Sequence, residues 1–237
     1  MNYERAAQQA PAGWRTFDLK DLERLPKAVH EHEMRLVPDH DRQAAEDGEP
    51  QAIGRLLRAF FWTFVYHLEP ERWDALARAE PIHPEVLAAL PKHAGRAVDI
   101  GAGSGRLTQH LVGRCDRVIA VEPATGLREQ IKHRLPTVQV VAGWADALPL
   151  ADRSSDLTAG CGVLGPEPDA LDELERVTAI GGLIALISPE CPEWFEAHGW
   201  TRRSFARINP PERDPWIDEF FGPPDPPHEL LMRLMST

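Results

Sequence analysis

Ala97-Val-Asp-Ile-Gly-Ala-Gly-Ser-Gly-Arg-Leu-Thr108 decides the fold of this chain. A short apolar run leads into three glycines, Gly101, Gly103 and Gly105, and Asp99 stands two positions before the first of them. Leu107, His110 and Leu111 then take up helical spacing. The pattern reads as a strand that turns sharply into a helix, with no side chains to keep backbone away from a ligand. A helix N-terminus offers unpaired N–H groups and a partial positive charge. A site of the nucleotide type is therefore expected at the carboxyl end of a first strand, residues 97–100.

Outward from that turn, strands and helices alternate. A helix is expected over 106–114, a second strand over 117–122, a helix over 124–135 and a third strand over 138–142. A short, weaker fourth strand follows at 156–161, then a helix over 168–178 stopped by Gly181-Gly182, and a fifth strand at 183–188. Such alternation implies an α/β fold with a doubly wound, mostly parallel sheet. Residues 200–208 read as a sixth strand and 228–235 as a last short helix, so no closing hairpin is expected. That edge is left for residues 216–221 or for a partner chain, which makes room for a homodimer. The proline clusters at 210–215 and 223–227 read as extended connectors.

Upstream the pattern is helical. Asp18 caps a short helix over 18–25. A charged stretch over 30–47 breaks at Gly48-Glu-Pro50, and one helix over 51–68 carries Phe60, Phe61 and Phe64 with apolar groups almost all round. Pro70 and Pro84 open two more helices. The expected division is an N-terminal helical cap, 1–92, and an α/β domain with a proline-rich extension, 93–237.

With 237 residues the chain is ample for a buried core. The formal net charge of −11 argues against a sequence-independent grip on nucleic acid. Three cysteines without metal-like spacing fit a reduced, cytoplasmic setting, and no metal is expected. No apolar run is long enough to cross a membrane.

The three glycines differ from the dinucleotide pattern G-x-G-x-x-G, whose last glycine is replaced by Arg106, and no Walker-type phosphate loop is present. D-x-G-x-G-x-G at 99–105 resembles the first motif of the class I S-adenosylmethionine-dependent methyltransferases, in their small-molecule, methyltransferase-domain-11-like branch. Two further segments carry the resemblance in order and in register. Val141-Ala-Gly-Trp-Ala-Asp-Ala-Leu-Pro-Leu150 is similar to the family's G-D-A-E-x-L-P-F, and the stretch from Leu171 through Gly181-Gly182 is similar to L-x-E-x-x-R-V-L-x-P-G-G. The resemblance implies a Rossmann-like methyltransferase fold. It also implies that Asp99, Gly101, Ala102, Gly103, Gly105 and Leu107 cradle the methionine part of S-adenosylmethionine. Glu122, 21 positions after Gly101 and followed by Pro123, is expected to accept the ribose hydroxyls, a device shared with NAD enzymes, set against the ordinary role of a surface-loop glutamate. Trp144, Ala145 and Asp146 frame the adenine, with Trp144 either stacking on it or filling the loop core. Cys161, at the end of the expected fourth strand, is the last residue the resemblance implies for the cofactor site.

The implied chemistry is methyl transfer to O, N or C of a small, partly apolar molecule, releasing S-adenosylhomocysteine. Gly165 and Pro166 stand where many relatives carry histidines, so the group that would deprotonate an acceptor is left open. His67, at the end of the aromatic helix, is a candidate base, set against the ordinary role of a helix-end histidine. Tyr66, Trp73 and Phe64 are the expected substrate-side residues. Two other readings stand beside this one. An NAD(P)-dependent oxidoreductase would need a glycine at 106 or a catalytic Tyr/Lys set, and Tyr3 and Tyr66 both precede the glycine turn. A non-catalytic S-adenosylmethionine-binding protein would bind the cofactor without turning it over.

Overall fold

The computed structural model describes residues 3–209 and 212–236. In chain order the helices are α1 (Tyr3–Gln9), α2 (Leu19–Arg24), α3 (Lys27–Met34), α4 (Asp39–Glu46), α5 (Pro50–Ala59), α6 (Phe61–Leu68), α7 (Pro70–Ala79), α8 (Pro84–Ala89), α9 (Thr108–Val112), α10 (Thr125–Arg134), α11 (Pro168–Val177), α12 (Pro192–Ala197) and α13 (Pro215–Phe221). The strands are β1 (Ala94–Ile100), β2 (Cys115–Val121), β3 (Gln139–Val141), β4 (Ser155–Cys161), β5 (Thr178–Ile187), β6 (Thr201–Ser204) and β7 (Glu229–Leu234). They form two compact units. One is helical, runs to Leu76 and adds Glu212–Pro224; the other begins at Ala77 and, after that excursion, resumes at Asp225.

The helical unit is organised by aromatic side chains. Phe61 is fully buried and sits 5.5 Å from Phe220 and 4.9 Å from Trp62, ring centre to ring centre. Phe64 is equally buried, 4.9 Å from Phe17. The single helix expected over 51–68 is two, α5 and α6, divided at Phe60 (φ −85°, ψ 0°). Phe60 and Phe61 are both buried. Neighbours on one straight helix point about 100° apart, and the bend lets both rings reach the core. Polar pins complete the unit. Asp18 and Asp21 form a capping box on α2. Arg55 clamps the buried Asp41 with Nε at 3.0 and 3.1 Å from the two carboxylate oxygens, and Arg58 Nε donates to the Ala7 carbonyl at 3.0 Å.

The second unit is a seven-stranded sheet in the order β3-β2-β1-β4-β5-β7-β6. β1 to β5 run parallel, and β7 lies antiparallel to both β5 and β6. Apolar clusters cover both faces. One gathers Val86, Leu107, Leu111 and Ile131 on Ala97 and Ala159; the other gathers Leu148, Leu171, Leu174 and Phe195 on Val98 and Ile184. Strand order reverses between β1 and β4, which opens a crevice at their carboxyl ends.

Several expectations are corrected. Residues 228–235 are a strand, β7, and with β6 they form the closing hairpin that was not expected. Leu230 and Leu231 are adjacent and both fully buried, so no period-2 alternation betrayed a strand covered on both faces. β7 and β6 extend that side of the sheet beyond β5, and α13 belongs to the helical unit. β6 is shorter than the expected 200–208. α11 ends at Val177 and the chain enters β5 directly, so Gly181 and Gly182 lie inside the strand. Thr178 makes that junction. Its hydroxyl donates to the Leu174 carbonyl at 2.6 Å and lies 2.6 Å from the Thr158 hydroxyl on β4. β4, expected to be short and weak, is a seven-residue strand at the centre of the sheet. α9 is shorter than 106–114, because the turn after β1 continues to Leu107. Of the proline connectors, residues 210 and 211 lie outside the described residues, and Pro215 opens α13.

Phe61→Ala removes a ring that packs against Phe17, Trp62, Phe220 and Phe221. Denaturant unfolding is expected to show a loss of about 3–5 kcal/mol for a buried Phe truncated to Ala, against a change under about 0.5 kcal/mol for an exposed control such as Glu31→Ala.

Candidate functional site

The site grows from the carboxyl ends of β1, β2 and β4. Gly101 and Gly103 both adopt φ +57°, the left-handed region, which allows the turn to fold back over the strand ends. A Cβ at Gly101 would overlap Val163 Cγ2, so the glycine is needed for space as well as for conformation. The Ala102 N–H donates to the Val121 carbonyl at 3.1 Å and ties the turn to the end of β2.

Two carboxylates sit beneath this turn. Asp99 is 1% exposed and Glu122 is 5% exposed. Thr108 donates its hydroxyl to Asp99 Oδ2 at 2.6 Å. Glu122 Oε2 accepts the Gly103 N–H at 2.9 Å, and its Oε1 accepts the Ala124 N–H at 2.8 Å. Burial pushes both pKa values up to about 7, against the pull of these hydrogen bonds; for Asp99 the charge of Glu122 adds to the rise. Two acids held in this state favour a cation beside them, because a positive charge stabilises their ionised forms.

Ala102 and Leu107 are buried within the turn, and Pro123 follows Glu122 half-buried. Cys161 is buried at the end of β4, and burial raises its thiol pKa. Trp144 to Ala147 form a tight turn after β3, with the Ala147 N–H donating to the Trp144 carbonyl at 3.2 Å. Trp144 and Ala145 are half-buried there, and Asp146 is exposed. The structure thus brings Asp99, Glu122, Cys161 and the glycine turn together at one end of the sheet.

Tyr66, Trp73 and Phe64 lie in the helical unit. The Tyr66 ring packs 4.9 Å from Trp73 and 5.9 Å from Trp62, while Phe64 is wholly inside the core. His67 is half-buried in the last turn of α6. A cavity of about 360 Å³ lined by Gly95, Arg96, Asp116, Arg117, Ser154 and their neighbours lies at the amino ends of the strands, away from the glycine turn.

Sequence reasoning passed over two residues of the site. Thr108 places its side-chain hydroxyl on Asp99, and its position in the first turn of the helix is the available signal. In the sequence, Arg106 registers only as a missing glycine. Its guanidinium reaches across to Gly162 at the end of β4 and donates to the Glu80 carbonyl at 3.4 Å.

Residues 98–186 match the profile of the methyltransferase domain family. This segment is a methyltransferase domain. Within it lies the glycine turn that resembles the class I, S-adenosylmethionine-dependent kind. An uncharacterized methyltransferase of Mycobacterium tuberculosis is 33% identical over 147 residues, which cover 59% of this chain and 59% of that protein. A demethylmenaquinone methyltransferase of Beutenbergia cavernae is 33% identical over 127 residues, covering 51% of this chain and 52% of the relative. The chain therefore spans little more than half the length of these curated relatives. A chain from the complex between the Trm112 methyltransferase activator and a methyltransferase of Haloferax volcanii superposes with a TM-score of 0.54 at 18% identity, over 73% of this chain and 98% of its own, a likeness of fold. The methyltransferase domain includes the glycine turn, Glu122, the 144–150 loop and α11.

The carboxylate pair gives the ligand-free protein a definite pH dependence. Between the ordinary carboxylate range and pH 7, the folded protein holds protons that the unfolded chain has released. The pair's contribution to stability is therefore full at low pH and is lost as pH rises through about 7. Thermal unfolding from pH 5 to pH 8 is expected to show a falling Tm in wild type and a flatter profile in Asp99→Asn. An identical slope in the two proteins would remove Asp99 from the titration.

Proposed function

We propose that this chain transfers a methyl group from S-adenosylmethionine to O, N or C of a small, partly apolar molecule. One observation carries the cofactor side: a pair of buried carboxylates with raised pKa values, under a glycine turn, where the strand order of the sheet reverses. A sulfonium and an ammonium are the charges such a pair favours. The residues fit this cofactor as follows. The turn from Gly101 to Gly105 takes the methionine part. Glu122, with both oxygens already steered by backbone N–H groups, has lone pairs left to accept the ribose hydroxyls. Trp144, Ala145 and Asp146 frame the adenine.

When bound, the cofactor supplies an electrophilic methyl carbon, and the protein's share is alignment of an acceptor lone pair with the breaking S–C bond. Residues 162–166, which follow β4, are Gly-Val-Leu-Gly-Pro and carry no ionisable side chain, which suits an acceptor with an apolar face. The likeness to a demethylmenaquinone methyltransferase points the same way, toward an apolar acceptor. The net charge of −11 disfavours nucleic acid. Among the described residues no helix is long and apolar enough to cross a membrane. The free thiols of Cys115, Cys161 and Cys191 accord with action in the cytoplasm.

Calorimetry with S-adenosylmethionine and S-adenosylhomocysteine tests the cofactor. Both are expected to bind, and Glu122→Gln is expected to weaken each by about tenfold or more, the worth of hydrogen bonds to a charged acceptor. Failure of both ligands to bind at millimolar concentration would refute the proposal. Release of S-adenosylhomocysteine during turnover with a panel of small apolar acceptors, quinols included, separates an enzyme from a protein that only binds the cofactor.

A further inference from the structure

We infer that Glu173 and Arg176 on α11 are positioning residues for the cofactor's base, acting by locking the loop that carries Trp144, Ala145 and Asp146. The inference rests on the reading of those three residues as the adenine frame.

Arg176 has five N–H donors, and all five are used. Nε donates to Glu173 Oε1 at 2.6 Å. One terminal nitrogen donates to the Leu150 carbonyl at 2.8 Å and to Asp152 Oδ1 at 2.7 Å. The other donates to the Leu148 carbonyl at 3.1 Å and to Glu173 Oε2 at 2.7 Å. Glu173 Oε2 also accepts the Leu148 N–H at 2.7 Å, and the Arg176 carbonyl accepts the Arg153 N–H at 2.8 Å. The run from Leu148 to Arg153 is thus fastened to two neighbouring turns of α11. The mutual attraction of the pair holds the Glu173 carboxyl below the usual carboxylate range.

The helix that supplies this clamp does not yield. Leu171, Leu174 and Val177 are buried against the sheet, and Leu148 joins the same apolar cluster. The other side of the loop is fixed by contact. A Cβ on Gly143 would stand 2.6 Å from Pro149 Cδ and 2.9 Å from Val121 Cγ1, so the Pro149 ring rests directly on the Gly143 backbone. Trp144 to Asp146 are therefore suspended between the Gly143–Pro149 contact and the arginine clamp. Their backbone is set before any ligand arrives, which is the condition for reading a flat base at low entropic cost.

A planar guanidinium is required for this. A lysine ammonium has three donors radiating from one point and cannot serve two carbonyls and two carboxylates at once. A methionine leaves the Leu148 and Leu150 carbonyls without this partner.

The test compares two ligands that differ at the base. S-adenosylhomocysteine carries adenine, and S-ribosylhomocysteine has a hydroxyl in its place. Kd values for both are measured by calorimetry on wild type, Arg176→Met, Arg176→Lys and Glu173→Gln. Arg176→Met is expected to lose about tenfold or more in affinity for S-adenosylhomocysteine, with S-ribosylhomocysteine changed by less than about twofold. Arg176→Lys is expected to recover only part of the loss. Amide hydrogen exchange in 144–150 is expected to quicken without ligand, with β1 and α11 unchanged. An equal fall for both ligands, or no change for either, would overturn the inference. Should Arg176→Met not fold, the same ratio in Arg176→Lys and Glu173→Gln decides it. Wild-type binding of S-adenosylhomocysteine stands apart as the check on the cofactor reading, so failure there is distinguishable from failure of the clamp.

Discussion

Asp99 and Glu122 are carboxylic acids placed where water cannot reach them, one at the end of β1 and the other just past the end of β2. Taking a carboxylate out of water is costly unless something positive or a set of donors replaces the solvent. The surrounding structure supplies those donors. The fold-back of Gly101 and Gly103 brings the Gly103 N–H onto Glu122, the break after β2 brings the Ala124 N–H onto the same group, and the short α9 brings the Thr108 hydroxyl onto Asp99. Those donors do not repay the whole cost, since both pKa values remain near 7. The remainder is a standing preference for a cation. A site whose empty form is electrostatically unfinished is one in which ligand charge, rather than new contacts alone, drives binding.

The rest of the sheet serves this arrangement. Reversal of strand order between β1 and β4 leaves the space that the turn occupies, and Val163 beyond β4 forms one wall against Gly101. α11 does two jobs. Its apolar face seals one side of the sheet, and its polar face reaches Leu148 to Arg153 and fixes the loop between β3 and β4. The helical unit has its own stabilising logic, with rings stacked on rings and Arg55 holding the buried Asp41, and it accounts for most of the large aromatic side chains.

The parts of this architecture that were legible in the sequence share one property: local spacing and tertiary role agree. The glycine turn, Glu122 at the end of an apolar run and the Leu171–Leu174–Val177 stripe of α11 each look the same in isolation as in the fold. The misread parts are those where a distant partner decides. Glu229 to Leu234 has the composition of a helix, and only pairing with β5 makes it a strand. Gly181-Gly182 has the appearance of a helix stop, yet Thr178 has already ended α11 through two side-chain hydrogen bonds, one of them to a residue 20 positions away. Arg106 drew notice only for the glycine it displaced, because its reach to Gly162 depends on β1 and β4 lying side by side. Arg176 stood inside a motif without a role, since its partners come from residues 148–152.

If the buried carboxylate pair is held partly protonated and is completed by a cationic cofactor, binding must set protons free. Proton release on binding tests this most directly. Titrations of S-adenosylmethionine at pH 6.5, repeated in buffers of different ionisation enthalpy, report protons set free per ligand bound. Net release is expected in wild type, and its loss when Asp99 and Glu122 are replaced by Asn and Gln. A binding enthalpy independent of buffer in wild type would contradict it.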